Sequence, residues 1–344
     1  TSVDDVMKTR EKVTIYDTTL RDGSQTEGIS FSLQDKIGIA LKLDDFGVDY
    51  IEGGYPLSNP KDKAFFKEIR KNSLQNAKVA AFGSTKRANK KASEDPGIKA
   101  LLLTEMPVVT IVAKSWDFHV TGVLKVSLDE NLKMVSETVE YLKSKGREVI
   151  LDAEHFFDGH KNNSRYSLKV LKTAQDSGAD TIVLCDTNGG CLPQEVEKIT
   201  GSVASKIKVP LGIHTHNDGE LAVANTFAAI NSGARHVQGT INGLGERCGN
   251  ANLCSVIPNL VLKNKFKCLG NSELKKLTEI SRYVNEVANF VPMANQPFVG
   301  SSAFAHKGGL HVNAIQKNSS TYEHIEPEAV GNERRILISE LSGS

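Results

Sequence analysis

Three residues, His214, His216 and Asp22, carry the sharpest chemical signal in this sequence. In His214-Thr215-His216 the imidazoles stand two positions apart, and on a strand such residues project to one face, so both rings can point at one ion. Neutral imidazole is a common ligand of transition metals, and carboxylate oxygen suits the harder divalent ions. Asp22 supplies that carboxylate if the fold brings the end of the first apolar run beside the histidines. An isolated His-x-His is as often two unrelated polar residues; the adjacent Asn217-Asp218 and the position at a strand end favour the metal. Asn250, in Gly245-Glu246-Arg247-Cys248-Gly249-Asn250, could add a further oxygen ligand. The Gly-rich segment 243–249 is no phosphate loop, because it lacks the Gly-Lys-Ser/Thr ending.

Other residues suggest what the ion is for. Arg21 precedes Asp22 and would sit beside the metal as a fixed positive donor for an oxyanion. Glu52 and Glu154 are acids within otherwise apolar strands, where charge is rare unless paired or functional. Each is a candidate for ordering a bound water or moving a proton, with a structural ion pair as the alternative. Thr187 closes the sixth apolar run and could hydrogen-bond a substrate carboxylate. His119, His155, His160, His236, His306 and His324 have no evident partner and read as structural.

These residues need a scaffold that collects strand ends. Short β-branched runs at 13–20, 49–55, 78–82, 108–113, 148–153, 181–185, 211–216 and 236–241 alternate with helical patterns at 32–46, 60–71, 128–145, 164–177, 193–207 and 221–231. Several helical patterns close at glycine (Gly47, Gly146, Gly178, Gly233), as C-capping requires. The spacing is that of one βα unit, and eight in succession predict an α/β fold, a closed (β/α)₈ TIM barrel. A barrel brings every strand's C-terminal end to one mouth and leaves only the eighth strand between the first and the seventh. A doubly wound open sheet is the alternative, but no Gly-x-Gly-x-x-Gly follows the first strand. Two more helical patterns, 253–264 and 272–290, follow the eighth strand. The barrel domain is expected over 1–291, with 292–344 a less regular C-terminal extension.

Composition narrows the partners. Formal net charge is +1, and the densest basic run, Lys86-Arg87 to Lys90-Lys91, is too short for a nucleic-acid face. No apolar stretch approaches the roughly 20 residues that span a bilayer, and residues 1–11 lack a signal peptide's apolar core. The five cysteines are odd in number and follow no disulfide spacing. A reducing cytoplasm is the expected location.

Three separated motifs carry a family resemblance. Asp17-Thr18-Thr19-Leu20-Arg21-Asp22-Gly23-Ser24-Gln25, His214-Thr215-His216-Asn217-Asp218 and Gly243-Leu244-Gly245-Glu246-Arg247-Cys248-Gly249-Asn250-Ala251 together resemble the 2-isopropylmalate, homocitrate and citramalate synthases. These metal-dependent acyltransferases share the DRE-TIM metallolyase superfamily with the lyases of 3-hydroxy-3-methylglutaryl-CoA. Segments 27–32 and 50–62 are similar to the citramalate-forming branch. The resemblance implies condensation of pyruvate with acetyl-CoA to citramalate and CoA, at the entry to isoleucine synthesis. A sister synthase with a bulkier keto acid, a carbon–carbon lyase, and a non-catalytic metal-stabilised scaffold are the alternatives.

The resemblance also implies roles. Asp22, His214 and His216 would bind zinc, manganese or magnesium, with Asn250 nearby. Arg21 would stabilise the alkoxide, Thr187 would take the keto-acid carboxylate, and Glu154 would help orient the reacting groups. In the tail, His306-Lys307-Gly308-Gly309-Leu310-His311-Val312-Asn313 and Thr321-Tyr322-Glu323-His324 resemble the segment that brings a histidine and a tyrosine to the site. His311, as base or relay, Tyr322 and Asn313 are expected there, reaching the partner's barrel in a homodimer. Relatives of this kind continue into a regulatory domain that binds an amino-acid end product, and none is expected within these residues.

Overall fold

A computed structural model describes residues 11–263, 266–307 and 309–337. Eight parallel strands close into a barrel in chain order: β1 (Thr14–Asp17), β2 (Tyr50–Gly54), β3 (Lys78–Ser84), β4 (Val108–Lys114), β5 (Glu148–Glu154), β6 (Thr181–Asp186), β7 (Leu211–Thr215) and β8 (His236–Gly239). β8 pairs with β1 in the register Thr14 to His236 through Asp17 to Gly239, which closes the ring and removes the open-sheet alternative.

The helices α1 (Leu33–Phe46), α2 (Pro60–Ile69), α3 (Pro96–Leu103), α4 (Leu128–Ser144), α5 (Phe156–Asp176), α6 (Pro193–Ala204), α7 (Ala222–Asn231) and α8 (Leu253–Lys263) surround it. Local chemistry sets their ends. Ser32 and Asp35 form a reciprocal capping box at the start of α1, and Gly47 stops that helix at φ 91°. Asn59 caps α2 ahead of Pro60.

The period-2 alternation of the strands sorts side chains into two cores. Ile15, Ile51, Val79, Val109, Leu151, Ile182, Ile213 and Val237 face the helices and pack in the large outer cluster. Tyr16, Ala80, Val108, Ile150, Val183 and Cys185 fill the barrel. Followed toward the C-terminal end, this inner row turns polar and continues into Glu52, Asp152, His214 and Gln238, all buried. The site is therefore the top layer of the barrel's own interior.

Several elements depart from the sequence reading. The first strand ends at Asp17 rather than residue 20, because Thr18–Gly23 folds into a tight turn closed by Gly23 N–H to Thr18 O (3.0 Å). Helix α3 was absent from the predicted set; its Pro96 start and eight-residue length leave little periodic signal. Helix α5 begins at Phe156, well before residue 164, and is broken by non-helical geometry at Asn163.

Beyond α8, helix α9 (Leu277–Val287) precedes an extension holding β9 (Ala305–His306), α10 (Gly309–Lys317) and β10 (Arg335–Ile336), with β9 and β10 parallel. Phe298, Val299, Phe304 and Val330 join the outer core, and the Thr278 hydroxyl donates to Val330 O at 2.7 Å, so the extension is packed onto the barrel. Among the described residues no helix is long and apolar enough to cross a membrane. All five cysteines are free.

Candidate active site

The turn after β1 is built before it is functional. Asp17 accepts from Thr19 N–H and Thr19 Oγ1, both at 2.9 Å, and Thr18 Oγ1 accepts from Asp22 N–H at 3.2 Å. That geometry aims Asp22 at the end of β7. Its Oδ2 lies 3.7 Å from His214 Nε2 and 3.9 Å from His216 Nε2, and the two imidazole nitrogens are 3.3 Å apart. In a triangle with those sides, the point equidistant from the three atoms lies about 2.1 Å from each, the length of a bond from a divalent ion to imidazole or carboxylate. All three residues are buried, and among the described residues this is the one His/Cys/Asp/Glu group with such spacing.

Electrostatics leaves the set deprotonated. Burial alone would raise the Asp22 carboxyl, but Arg21, then His214 and His216, hold it well below the usual carboxylate range. Burial, then the neighbouring His214, pushes His216 down to about 4, and burial lowers His214 as well. Asp22 is thereby held toward the carboxylate and both histidines toward the neutral imidazole, the forms in which each can donate a lone pair to a cation. Asn250 tests the fit independently. Its Nδ2 donates to Asp22 Oδ1 and to Leu244 O, both at 3.0 Å, and both partners are acceptors, so the amide orientation is settled. Its Oδ1 is left buried without a donor, the state of an oxygen that faces a cation. A Cβ on Gly245 would lie 2.1 Å from Asn250 Nδ2, and one on Gly249 1.9 Å from Gly243 O. The two glycines let the loop come this close.

Arg21 is held from below. Glu52, fully buried, accepts from Arg21 Nε (2.6 Å), Tyr16 OH (2.6 Å) and Thr18 Oγ1 (2.5 Å). The guanidinium lies over the Phe82 ring, 4.0 Å from its centroid, and its Nη1 is 3.2 Å from Asp22. Burial works against its charge, but Glu52 and then Asp22 keep Arg21 ionised. Glu52 thus sits under the arginine, whereas Glu154 faces the cavity and pairs with Lys114.

Arg21, Asp22, His214, His216, Glu154 and Thr187 open together into one cavity of about 310 Å³ at the barrel mouth, walled by Tyr55, Phe82, Val112, Asp152 and Cys185. Thr187 Oγ1 accepts from His155 N–H at 2.8 Å, which leaves its own proton for an acceptor in the cavity. His155 makes that contact from a left-handed conformation (φ 52°), held by Asp158 Oδ2 at 3.1 Å from its Nδ1. Arg247 ties the rim, donating to both Asp218 oxygens (2.8 and 3.0 Å) and to Thr187 O (2.6 Å).

His311 and Tyr322 stack on each other with ring centroids 4.1 Å apart. Both are exposed, as is Asn313, and none of the three is among the described residues that line the mouth cavity. The sequence reading passed over Asp152 and Gln238, and took His155 as structural without a partner. Asp152 is an acid in the same apolar strand as Glu154, so the argument that singled out Glu154 applied to it as well. Burial, with Glu52 nearby, pushes its carboxyl up to about 8. Gln238 alternates with His236 on β8 in the inward register. His155 gave no signal, because its role runs through its backbone.

Residues 12–284 match the HMGL-like family, and residues 298–344 match the family described as homocitrate synthase post-HMGL domain-like. The chain is 60% identical over 334 residues to the (R)-citramalate synthase of Aquifex aeolicus, and 58% identical over 331 residues to that of Geobacter sulfurreducens. These alignments cover 97% and 96% of this chain, which spans 63% of the length of each relative. Among solved structures, the HMG-CoA lyase of Bacillus subtilis superposes with a TM-score of 0.69 at 20% identity, over 83% of this chain and 97% of that one, a likeness of fold. With a family model that matches across the whole barrel, the chain belongs to the HMGL-like family.

Proposed function

We propose that this chain carries the catalytic site of an acyltransferase that condenses acetyl-CoA with pyruvate to (R)-citramalate and CoA, as a step toward isoleucine. The observation that carries the reading is the single mouth cavity in which the Asp22–His214–His216 triad, Arg21 and Thr187 meet. The identity to (R)-citramalate synthases supports pyruvate as the keto acid.

A divalent ion held by Asp22, His214 and His216, with Asn250 as a further oxygen, would supply Lewis-acid polarisation of the keto group; zinc, manganese and magnesium all suit this donor set. The Thr187 hydroxyl donates to the keto-acid carboxylate. Glu154, anchored by Lys114, orients the keto acid against the thioester. A base removes a methyl proton from acetyl-CoA, and the carbanion forms a bond to the keto carbon while the keto oxygen takes the electron pair. Arg21, fixed by Glu52, donates to that developing alkoxide. Water then cleaves the thioester, and CoA leaves as the thiol. His311 is assigned the base or relay, with Tyr322 and Asn313 beside it, delivered by the tail of a second copy in a homodimer with composite sites. Their exposure and their absence from the described lining of the chain's own cavity support delivery in trans. The wall of Phe82 and Val112 favours a small keto acid.

Thiol release from acetyl-CoA with pyruvate, 2-ketoisovalerate and 2-ketoglutarate tests the reading. Pyruvate should be preferred. A preference for either bulkier acid would reassign the chain to a sister synthase, and no release with any would remove the condensation altogether. His311→Ala should lose turnover while keeping pyruvate affinity, and unchanged turnover would take His311 out of the mechanism.

A further inference from the structure

Gln238 is the least explained residue of the inner polar layer. It is 1% exposed, lies on β8 and touches no solvent, so its amide needs partners within the barrel. It has two. Its Oε1 lies 2.8 Å from His214 Nδ1, and its Nε2 donates to Asp152 Oδ1 at 2.9 Å. Asp152 itself is 3% exposed and lines the mouth cavity.

The orientation of this chain of bonds follows from its far end. Gln238 Nε2 donates to Asp152 Oδ1, which accepts whether or not the other carboxyl oxygen carries a proton, and the amide oxygen then faces His214. An oxygen opposite Nδ1 requires a proton on Nδ1. Neutral imidazole carries one ring proton, so Nε2 is left with its lone pair, and Nε2 is the atom that faces Asp22 and His216. Asp22 and the loop glycines bring the other donors into place, but only Gln238 determines which His214 nitrogen can ligate. We propose that Gln238, oriented by Asp152, is a positioning residue of the metal centre: it selects the ligating tautomer of His214 and fixes its ring plane. The residue works as an acceptor toward the histidine, so an acid of similar length should replace it, provided the opposite residue then donates.

The inference rests on the three-donor site and not on the choice of keto acid. The test uses zinc alone, with affinity read by competition against a chromophoric chelator at fixed pH. Outer partners of a ligating histidine are worth about 10–100-fold in affinity. Gln238→Leu should weaken zinc binding by that factor, with Gln238→Met as the substitute if the leucine variant does not fold. The exchange Asp152→Asn with Gln238→Glu reverses donor and acceptor between positions 152 and 238 but keeps an oxygen accepting from His214 Nδ1, and should return affinity to within about threefold of the unaltered chain. Comparable melting temperatures of the metal-free proteins separate this role from simple packing. Zinc affinity unchanged in Gln238→Leu, or no recovery in the exchange variant, would overturn the proposal. Failure of the unaltered chain to bind one zinc would overturn the metal site and this proposal with it.

Discussion

Glu52→Gln isolates the charge beneath Arg21 from the shape of the site. The side chain is fully buried, and its carboxylate accepts from three donors, Arg21 Nε, Tyr16 OH and Thr18 Oγ1. Glutamine keeps the volume but turns one acceptor into an NH₂ group. Oε2 receives both Arg21 and Thr18, so the amide oxygen will stay there and its nitrogen will face Tyr16, whose oxygen can accept. The geometry therefore survives while the ion pair is lost. Deleting one partner of a buried pair costs about 3–5 kcal/mol; with the hydrogen bonds retained, about 1–3 kcal/mol is expected. Arg21 keeps its Nε bond to the amide oxygen, Asp22 at 3.2 Å and the face of Phe82, but a neutral acceptor holds it less firmly than the carboxylate does. Losing one well-aimed donor to an oxyanion costs about 10²–10³ in kcat, so Glu52→Gln should lower kcat by about 10²-fold. Zinc affinity should hold within a few-fold, because Asp22 is positioned by Thr18 and Asn250. Thiol release, chelator competition and urea unfolding read the three effects separately. A kcat within threefold of the unaltered protein would refute the reasoning. An equal fall in zinc affinity would also do so, because Glu52 would then act through the metal ligands rather than through Arg21.

Three further outcomes follow from the same geometry. Zinc at about a hundred times its dissociation constant should stabilise the chain by about 2.7 kcal/mol, visible as a rise in melting temperature, and His216→Ala should abolish that rise; an equal rise in both would remove His216 from the ligand set. Gly245→Ala places a Cβ 2.1 Å from Asn250 Nδ2 and 3.1 Å from Asp22 Oδ1, so chelator competition should show zinc affinity about 10-fold lower or worse. His236 is fully buried, and burial lowers it to about 3. Unfolded, it takes a proton below its ordinary value of 6.5, so its contribution to stability is complete above that pH and declines as pH falls toward 3. At about pH 5 the loss should be about 2 kcal/mol. Urea midpoints between neutral and acid pH should therefore converge less steeply for His236→Phe, and parallel curves would contradict the assignment.

Much of this was legible in the residues alone because the relevant periods are short. Eight β-branched runs at βα spacing specify a barrel, since only closure gives every parallel strand two neighbours. His214 and His216 had to share a face because a strand repeats every two residues. The reading of Glu52 and Glu154 as acids out of place in apolar strands was sound chemistry, but it could not tell which one faces the cavity. That depends on depth along the barrel axis, which the shear of the strands decides: Glu52 ends beneath Arg21 and Glu154 at the rim. Asp152 and Gln238 went unread for a related reason. An inward polar residue has meaning only once its partner across the barrel is known, and 81 residues of sequence lie between the end of β5 at Glu154 and the start of β8 at His236.

The metal triad shows the division most clearly. Sequence determined that His214 and His216 share one face and that an acid, Asp22, follows the first strand closely, because those are local facts of strand geometry and residue type. Tertiary structure decided that Asp22 Oδ2 comes within 3.7 and 3.9 Å of the two imidazole nitrogens. That distance exists only when β8 closes against β1 and the 243–250 loop lays Asn250 on Asp22. Which His214 nitrogen faces Asp22 and His216 with a free lone pair is likewise not written near His214. It is set across the barrel by Gln238 and Asp152, since a proton's place on an imidazole follows the acceptor opposite it.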